Sequence, residues 1–487
     1  MSDPRQILDR LSAMGVRPSG VADDSRQVEP GDLFLAYPGD LADGRAYIAD
    51  AIARGASAVV WQAGGDFVWN EAWQVPQLQW PTLRLLAGPL AAEVLGQPSE
   101  AMSMIAITGT NGKTTISQCL ARAYAAPCAI IGTLGAGFPG ALADTGFTTP
   151  EATTLMRYLA RFRDAGAAAC ALEASSIGIE EGRMNGARVD VAIFTNLTRD
   201  HLDYHGSMEA YAAAKEKLFQ WPGLRLAVIN LDDAFGDRLA ITNTAQKVLG
   251  YAIDNPSAAV RAESLLETPG GQRFELALPS GRAQVETALV GRYNIHNLLA
   301  VAAVLHDAGL TVEQVAGRIA ALTPPPGRLE RVGGEDEPLV VVDYAHTPDA
   351  LENALGALRA TAAARGGRLV AVFGCGGDRD KGKRPQMGAV AERLADRALV
   401  TSDNPRSEVP QAIIDDIRAG MSRPEVVVDR AEAIRRAVLE ADPRDVILLA
   451  GKGHEPYQEI AGVRYPFSDV EKALAALEAR RASKEVA

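Results

Sequence analysis

The sequence predicts an α/β protein built on parallel sheets and divided into three domains. Three observations carry this. Short apolar runs alternate with amphipathic helical stretches through most of the chain, the pattern of strands joined by crossover helices. One such run, Met104-Ile105-Ala106-Ile107-Thr108, ends in a glycine-rich turn that opens directly into a helix-like stretch from Thr114 to Ala125. Two breaks, Gly96-Gln97-Pro98-Ser99-Glu100 and Pro324-Pro325-Pro326-Gly327, interrupt any helix or strand. They divide the 487 residues into segments 1–99, 100–325 and 326–487, each of ordinary domain size.

In the first segment the signals are weaker, with strands expected at Asp32–Ala36 and Ser57–Trp61 in a small α/β domain. In the second, Ala169–Glu173, Val191–Thr195 and Leu226–Asn230 read as strands that continue the sheet begun at Met104. In the third, Val340–Asp343, Leu369–Phe373, Arg397–Thr401, Glu425–Val428 and Val446–Ala450 make a further doubly wound series. There is no long-period repeat, and the charged tail near Arg480–Glu485 is the one biased segment.

Composition narrows the class of partner. Hydrophobic content of 47% with 23% charged residues is that of a soluble globular protein. A net charge of −12 argues against nucleic acid, whose phosphates need a basic face. The start of the chain lacks an apolar signal core and no apolar run approaches spanning length, so no membrane insertion is expected. The four cysteines, Cys119, Cys128, Cys170 and Cys375, show no paired metal spacing and read as reduced thiols of a cytoplasmic protein.

The turn after Thr108 reads Gly109-Thr110-Asn111-Gly112-Lys113-Thr114-Thr115. A tight glycine turn between strand and helix frees backbone N–H groups, and the helix N-terminus adds partial positive charge, which together favour a phosphate. Lys113 is expected to reach the outer phosphates of a nucleoside triphosphate, with the Thr114 hydroxyl placed for Mg²⁺. Ile107 stands where the strict phosphate-loop pattern has its first glycine.

Ligands of such sheets bind at the carboxyl ends of the strands, so the polar residues there are candidates. Glu173 ends one strand, and Asn196-Leu197-Thr198-Arg199-Asp200-His201 follows the next; a carboxylate and an imidazole there could hold magnesium. Lys215, in Tyr211-Ala-Ala-Ala-Lys215, would be read by default as a solvated helix lysine. Asn294 and Asn297 share one face of a helix start, where amides could read an adenine edge or simply cap the helix.

These segments, together with Gly327-Arg328-Leu-Glu330 and Asp343-Tyr-Ala-His346-Thr-Pro348, resemble in order the motifs of the Mur ligases, ATP-dependent amino-acid-adding enzymes of peptidoglycan synthesis. The resemblance runs over nearly the whole chain. In the first segment, Asp24-Ser25-Arg26 through Phe34 and Asp43-Gly44-Arg45 look like the uridine-nucleotide-binding domain of the diaminopimelate-adding members. In the third, Phe373-Gly-Cys-Gly-Gly-Asp-Arg379 through Arg384, Asp403-Asn404-Pro405-Arg406 and Gly451-Lys452-Gly453-His454-Glu455 look like the amino-acid domain of that subgroup.

The resemblance implies ATP and Mg²⁺ as cofactors, and UDP-N-acetylmuramoyl-L-alanyl-D-glutamate and meso-2,6-diaminopimelate as substrates of a monomer. It implies that Lys113, Glu173, His201 and Lys215 are catalytic, with Lys215 carbamylated and Thr114, Glu173, His201 and Lys215 around metal. Gly109 to Thr115, Asn294, Asn297, Arg328, Asp343 and His346 would meet ATP. Ser25, Thr148, Thr149, Ser175 and Arg183 would meet the UDP substrate, and Arg379, Asp403, Asn404, Arg406, Gly451 and Glu455 the diaminopimelate. An arginine such as Arg406 suits the distal carboxylate as a bidentate fork, and Glu455 the ammonium.

Two positions depart from the family pattern: Ile177 stands where a histidine is usual, and Glu181 where a glutamine is. Two alternatives remain at this level. One is a lysine-adding ligase of the same family, and the other a nucleotide-regulated binding protein.

Overall fold

The computed structural model describes residues 4–39, 42–268, 271–333 and 336–485. Their strands form three sheets and a separate two-stranded hairpin, and no helix among the described residues is long and apolar enough to cross a membrane.

The first sheet is four-stranded, parallel and in chain order: Val21–Ala22, Leu33–Ala36, Ala58–Gln62 and Gln77–Trp80. Leu33–Ala36 is buried throughout, as an unbroken apolar run covered on both faces requires. One face of the sheet, with Leu33, Leu35 and Val60, runs into the same core as Leu159, Phe162 and one side of the central sheet. The opposite face, with Phe34, Val59 and Trp61, closes a smaller cluster with Trp69 and Trp73.

The central sheet has 11 strands. Ser103–Thr108 lies between Val191–Phe194 and Ala169–Glu173 and is parallel to both. From it the chain passes through the helix Lys113–Ala123 to Cys128–Gly132, beyond Ala169–Glu173. Strand order therefore reverses beside Ser103–Thr108, and the crevice at that switch point is the ligand position of open α/β sheets. The two-residue strand period sorts the core. Met104, Ala106, Ala192 and Phe194 pack on one face, and Ile105, Ile107, Val191 and Ile193 on the other, against the helix Arg292–Asp307.

The strands expected in this segment are present, Val191–Phe194 ending one residue short of the expectation. Cys128–Gly132 and the run from Lys247–Ala252 to Gly281–Thr287 were not anticipated. Cys128–Gly132 is a short, fully buried run that the sequence reading passed over, and for two strands of the later run the reason is visible in their burial. Val260–Thr268 and Gly281–Thr287 expose alternate residues and carry Glu and Arg there, so they lack the continuous apolar run that marks a doubly covered strand.

The third sheet has six strands, ordered Glu330–Val332, Leu339–Asp343, Val446–Ala450, Leu369–Phe373, Arg397–Val400 and Glu425–Val426, parallel except for the first. Apolar clusters cover both its faces. The hairpin Tyr457–Ile460 and Val463–Pro466 stands beside it.

Candidate active site

The phosphate-type loop is fixed by its neighbours. Gly112 has φ of 91°, and a Cβ there would lie 2.5 Å from Asn297 Oδ1, so only glycine lets the loop approach the helix Arg292–Asp307. The amides of Thr110 and Asn111 donate to Asn196 O (2.9 Å) and Asn196 Oδ1 (3.0 Å), which ties the loop to the neighbouring strand end. The helix begins at Lys113 rather than Thr114, with glycine at its cap position and no capping side chain. Its first turn borders the cavity beside it, which Gly112 and Thr115 help to line, the place an anion site needs. Lys113 folds back on the loop, Nζ donating to Gly109 O (2.8 Å) and Thr110 O (2.9 Å). Burial lowers its pKa, while Glu173 and Asp200 pull the other way.

Glu173 is wholly buried, and hydroxyls surround its carboxylate. Thr114 Oγ1 (3.0 Å) and Thr133 Oγ1 (3.0 Å) donate to Oε2, and Ser117 Oγ (3.1 Å) to Oε1. The structure thus brings Thr114 and Glu173 together as paired hard-oxygen donors. That donor set suits Mg²⁺, which takes few protein oxygens and completes its shell with water and phosphate. Among the described residues there is no cluster of three His, Cys, Asp or Glu side chains fit for a metal. His201 Nε2 lies 3.4 Å from Asp200 Oδ2.

His201 occupies the left-handed region at φ 54°, uncommon for a residue with a side chain. Asp200 is nine-tenths or more buried; burial raises its pKa, but His201, His346 and Lys383 outweigh that and bring it to about 2. Lys215 is not the solvated lysine of the default reading. It is 1% exposed, lies 4.2 Å over the Tyr211 ring, and has its pKa pushed well down by burial and then by Lys113. Tyr211 in turn shares a hydrogen bond with Thr110 (3.1 Å), which connects this lysine to the loop.

A cavity of about 300 Å³ opens beside the loop between the central and third sheets, lined among others by Asn111, Asn294, Asn297, Arg328 and Asp343. Asn294 donates to Val290 O (2.9 Å) and Asn297 to Asn294 Oδ1 (3.1 Å), so both amides are partly engaged in holding the helix start. From the third sheet, Arg328 Nη2 donates to Thr114 Oγ1 (3.1 Å) while its guanidinium lies 4.8 Å over the Tyr344 ring. Asp343 accepts the amides of Leu329 (2.7 Å) and Ala345 (2.8 Å) and so shapes the backbone that carries Arg328 and His346. His346 bonds to Tyr344 O (2.8 Å) and stands 3.9 Å from Asp200; burial first, then Lys383, pushes its pKa down to about 4.

The four central residues expected at the UDP substrate are brought together. Thr149 bonds to Glu173 O (2.7 Å) and shares a hydrogen bond with Ser175 (3.0 Å), and Thr148 bonds to Thr133 (3.1 Å). Arg183 donates to Thr149 O (3.0 Å) and lies 4.7 Å over the Phe147 ring. It is also ion-paired with Glu181 (2.6 Å) and Glu151 (3.4 Å). Ser25 starts the turn Ser25–Gln27, which Asp24 caps. That turn is moored to the helix after Thr149 by Thr153 to Asp23 (2.6 Å) and Thr154 to Gln27 (2.8 Å).

In the third sheet, Asp403, Asn404 and Lys452 are buried, and Asn404 Nδ2 donates to Glu455 Oε2 (2.7 Å). A Cβ at Gly451, where φ is 117°, would lie 2.3 Å from Asp403 Oδ2. Arg406 sits at φ 50° with Nη1 donating to Gly377 O (2.7 Å), and Arg379 is exposed, donating to Asp378 O (3.0 Å). Lys452, Asp200 and Asp349, whose carboxylate accepts from Asn111 (3.0 Å), were not singled out from sequence. The available signal was position: Asp200 precedes His201, and Lys452 stands between two glycines in a strand-end motif.

Comparison with known proteins agrees with this layout. Residues 18–94 match a model described as Mur ligase family, catalytic domain, residues 107–305 the Mur ligase middle domain, and residues 327–453 the Mur ligase glutamate ligase domain. A UDP-N-acetylmuramoyl-L-alanyl-D-glutamate–2,6-diaminopimelate ligase of Chromobacterium violaceum is 52% identical, covering 96% of each chain. Its namesake in Pseudomonas aeruginosa is 50% identical over 94% of each. A solved structure of a ligase with that name matches with TM-score 0.66 and 39% identity over 95% of each chain. The fold also matches Thermotoga maritima MurF in complex with ADP, with TM-score 0.67 and 18% identity over 96% of this chain and 99% of that one.

Proposed function

Because this chain belongs to the Mur ligase family, we propose that its site joins meso-2,6-diaminopimelate to UDP-N-acetylmuramoyl-L-alanyl-D-glutamate with hydrolysis of ATP to ADP and phosphate. One observation carries the reading: Arg328, two residues before the third sheet's first strand, donates to Thr114 of the phosphate-type loop, while the same sheet leads into the Asp403–Arg406 turn. A nucleotide and an amino acid can therefore be held against one reaction centre.

The D-glutamate carboxylate attacks the γ-phosphorus of ATP, ADP leaves, and an acyl phosphate forms. The free amine of diaminopimelate then attacks the carbonyl carbon, its C–O bond to phosphate breaks, and the amine's surplus proton passes to solvent or phosphate. Positioning and charge neutralisation dominate such transfers. Lys113 turns from its own loop carbonyls to the γ-phosphate. Thr114 and Glu173 would hold magnesium, which when bound would supply charge neutralisation at the phosphates, and His201 orients that corner through Asp200. Lys215, as a carbamate, adds anionic oxygens. Asn294 and Asn297 face the adenine side, with Arg328, Asp343 and His346 across the cleft. Ser25, Thr148, Thr149, Ser175 and Arg183 receive the UDP substrate. Arg406 grips the distal carboxylate of diaminopimelate among Arg379, Asp403, Asn404, Gly451 and Glu455.

In this reading, residues 1–99 bind the uridine nucleotide, 100–325 bind ATP, and 326–487 bind the amino acid. The enzyme works as a cytoplasmic monomer, in keeping with four buried free thiols. Phosphate release from ATP, UDP-N-acetylmuramoyl-L-alanyl-D-glutamate and a panel of amino acids tests it. Release strictly dependent on diaminopimelate is expected. Equal release with lysine, or release without any amino acid, overturns the assignment.

A further inference from the structure

Lys452 is wholly buried within the third sheet's strand-end cluster, yet the reaction as written gives it nothing to do. Taking an ammonium out of water is costly unless it is paired and hydrogen-bonded, and its surroundings meet that demand. Nζ donates to Asn404 Oδ1 (2.9 Å) and to Glu455 Oε2 (3.2 Å), stands 4.0 Å from Asp403 Oδ1, and faces the Tyr457 ring at 5.6 Å.

Two consequences follow for the side chains around it. The first concerns Asn404. An amide side chain can present either end, but here Oδ1 accepts both from Lys452 and from the Glu459 amide (3.0 Å), while Nδ2 donates to Glu455 (2.7 Å). Lys452 and the Glu459 amide together fix which way Asn404 points, and among the described residues Nδ2 has Glu455 as its one acceptor. The second consequence concerns charge. Asp403 and Glu455 are two carboxylates in one poorly solvated corner. Burial and then Asp403 push the Glu455 pKa up, and Lys452 and Asn404 oppose them. Lys452 is thus the cation hydrogen-bonded within this pair of carboxylates, with Arg430, itself ion-paired to Asp469, facing them from behind.

We infer that Lys452 is a positioning residue for the acceptor amino acid: with the Glu459 amide it holds the Asn404 side chain, and it sets its positive charge against Glu455, so that the pair can receive the distal ammonium. This rests on the proposed diaminopimelate-adding reaction and deepens it. The charged and titratable groups facing Glu455 are Asp403 on the turn, Lys452 on its own loop, Tyr344 after Leu339–Asp343, Tyr457 on the hairpin, and Arg430 at the start of the helix Arg430–Glu440. Of these, Lys452 alone both bonds to Glu455 and carries positive charge toward it at hydrogen-bond distance.

The sign follows from linkage. With Lys452 gone, the Glu455 pKa rises further, so acceptor affinity falls and is lost at a higher pH than in the parent enzyme. The test uses the full-length enzyme and its Lys452→Met variant in the phosphate-release assay, with each substrate varied in turn between pH 6 and 9. The expected result is a KM for diaminopimelate raised roughly 10- to 100-fold, KM for ATP and for the UDP substrate changed less than about 3-fold, and an acid limb of kcat/KM for diaminopimelate displaced to higher pH. Adding Glu455→Gln to the variant should abolish that displacement.

Should Lys452→Met fail to fold, Lys452→Gln, which can still donate to Asn404 without charge, carries the same measurements. An unchanged KM for diaminopimelate in a folded variant overturns the inference. So does a uniform loss in which all three KM values rise together, or a raised KM with no displacement of the acid limb. Parent enzyme that releases no phosphate with diaminopimelate overturns the proposed reaction instead, so the two failures are told apart.

Discussion

At the scale of single residues, the two lysines proposed for the reaction centre differ in what their surroundings permit. Among the described residues, Lys113 bonds only to carbonyls of its own loop, 2.8 and 2.9 Å away, so removing it should leave the core untouched. Lys113→Ala is expected to fold normally by circular dichroism and to lose on the order of 3 kcal/mol or more of barrier lowering. Near-normal turnover by the folded variant would end its assignment at the γ-phosphate. Lys215 is buried, and the sequence alone offered no reason to separate it from an ordinary helix lysine. An exposed lysine with pKa about 10.4 is neutral about once in a thousand molecules at pH 7.4. Burial shifts Lys215 toward the neutral amine, the form that takes up CO₂. Lys215→Ala should be nearly inactive and regain part of its rate with formate or acetate. A folded variant that no small carboxylate rescues would count against an anionic group at this position.

At the scale of elements, the Asp403–Arg406 turn, proposed to select the amino acid, is held by a neighbouring strand. The hairpin strand Tyr457–Ile460 runs beside it. Gln458 Nε2 donates to Asp403 O (2.6 Å), the Arg406 amide to Glu459 O (3.0 Å), and the Ala461 amide back to Arg406 O (2.7 Å). These bonds hold Arg406 in its left-handed backbone. Arg406→Ala is expected to raise the KM for diaminopimelate about 30- to 1,000-fold, the loss of a charge-assisted fork, with the KM for ATP nearly unchanged. Arg406→Gly accepts that backbone without strain, so an equal loss in both variants assigns the effect to the guanidinium. If diaminopimelate and lysine weaken alike, Arg406 is structural.

Elements also mark where sequence reading stopped. Doubly covered strands such as Leu369–Phe373 were legible because their apolar runs are continuous, and the glycine turn because strand, loop and helix agree. The hairpin Tyr457–Ile460 and Val463–Pro466 was not, since its strands are half-buried to exposed and leave no apolar run to read. Lys452 was missed for a related reason: nothing local shows that a lysine between two glycines will be closed over by a strand.

At the scale of the whole molecule, residues far apart in sequence meet across the cleft. Arg328 reaches Thr114, Asn111 reaches Asp349, and Arg199 pairs with Asp380 (3.1 Å). These contacts are polar, and beside them Val290 and Tyr293 pack into the third sheet's core, a smaller apolar seam than a shared interior. The first sheet is joined differently. Leu33, Leu35 and Val60 share one apolar core with Leu159, Phe162 and Met104, so the break near Gly96 in the sequence separates sheets but not interiors. Cooperativity of unfolding should follow the interiors. A calorimetric scan is expected to show the first and central sheets melting in a single transition, with the third free to melt on its own. Destabilising Leu35→Ala should shift the first of these, and a transition of the first sheet alone would contradict the shared core. A segment read as the gatekeeper of one substrate is thus thermodynamically part of the motor that consumes ATP, and a lesion in either should be felt by both.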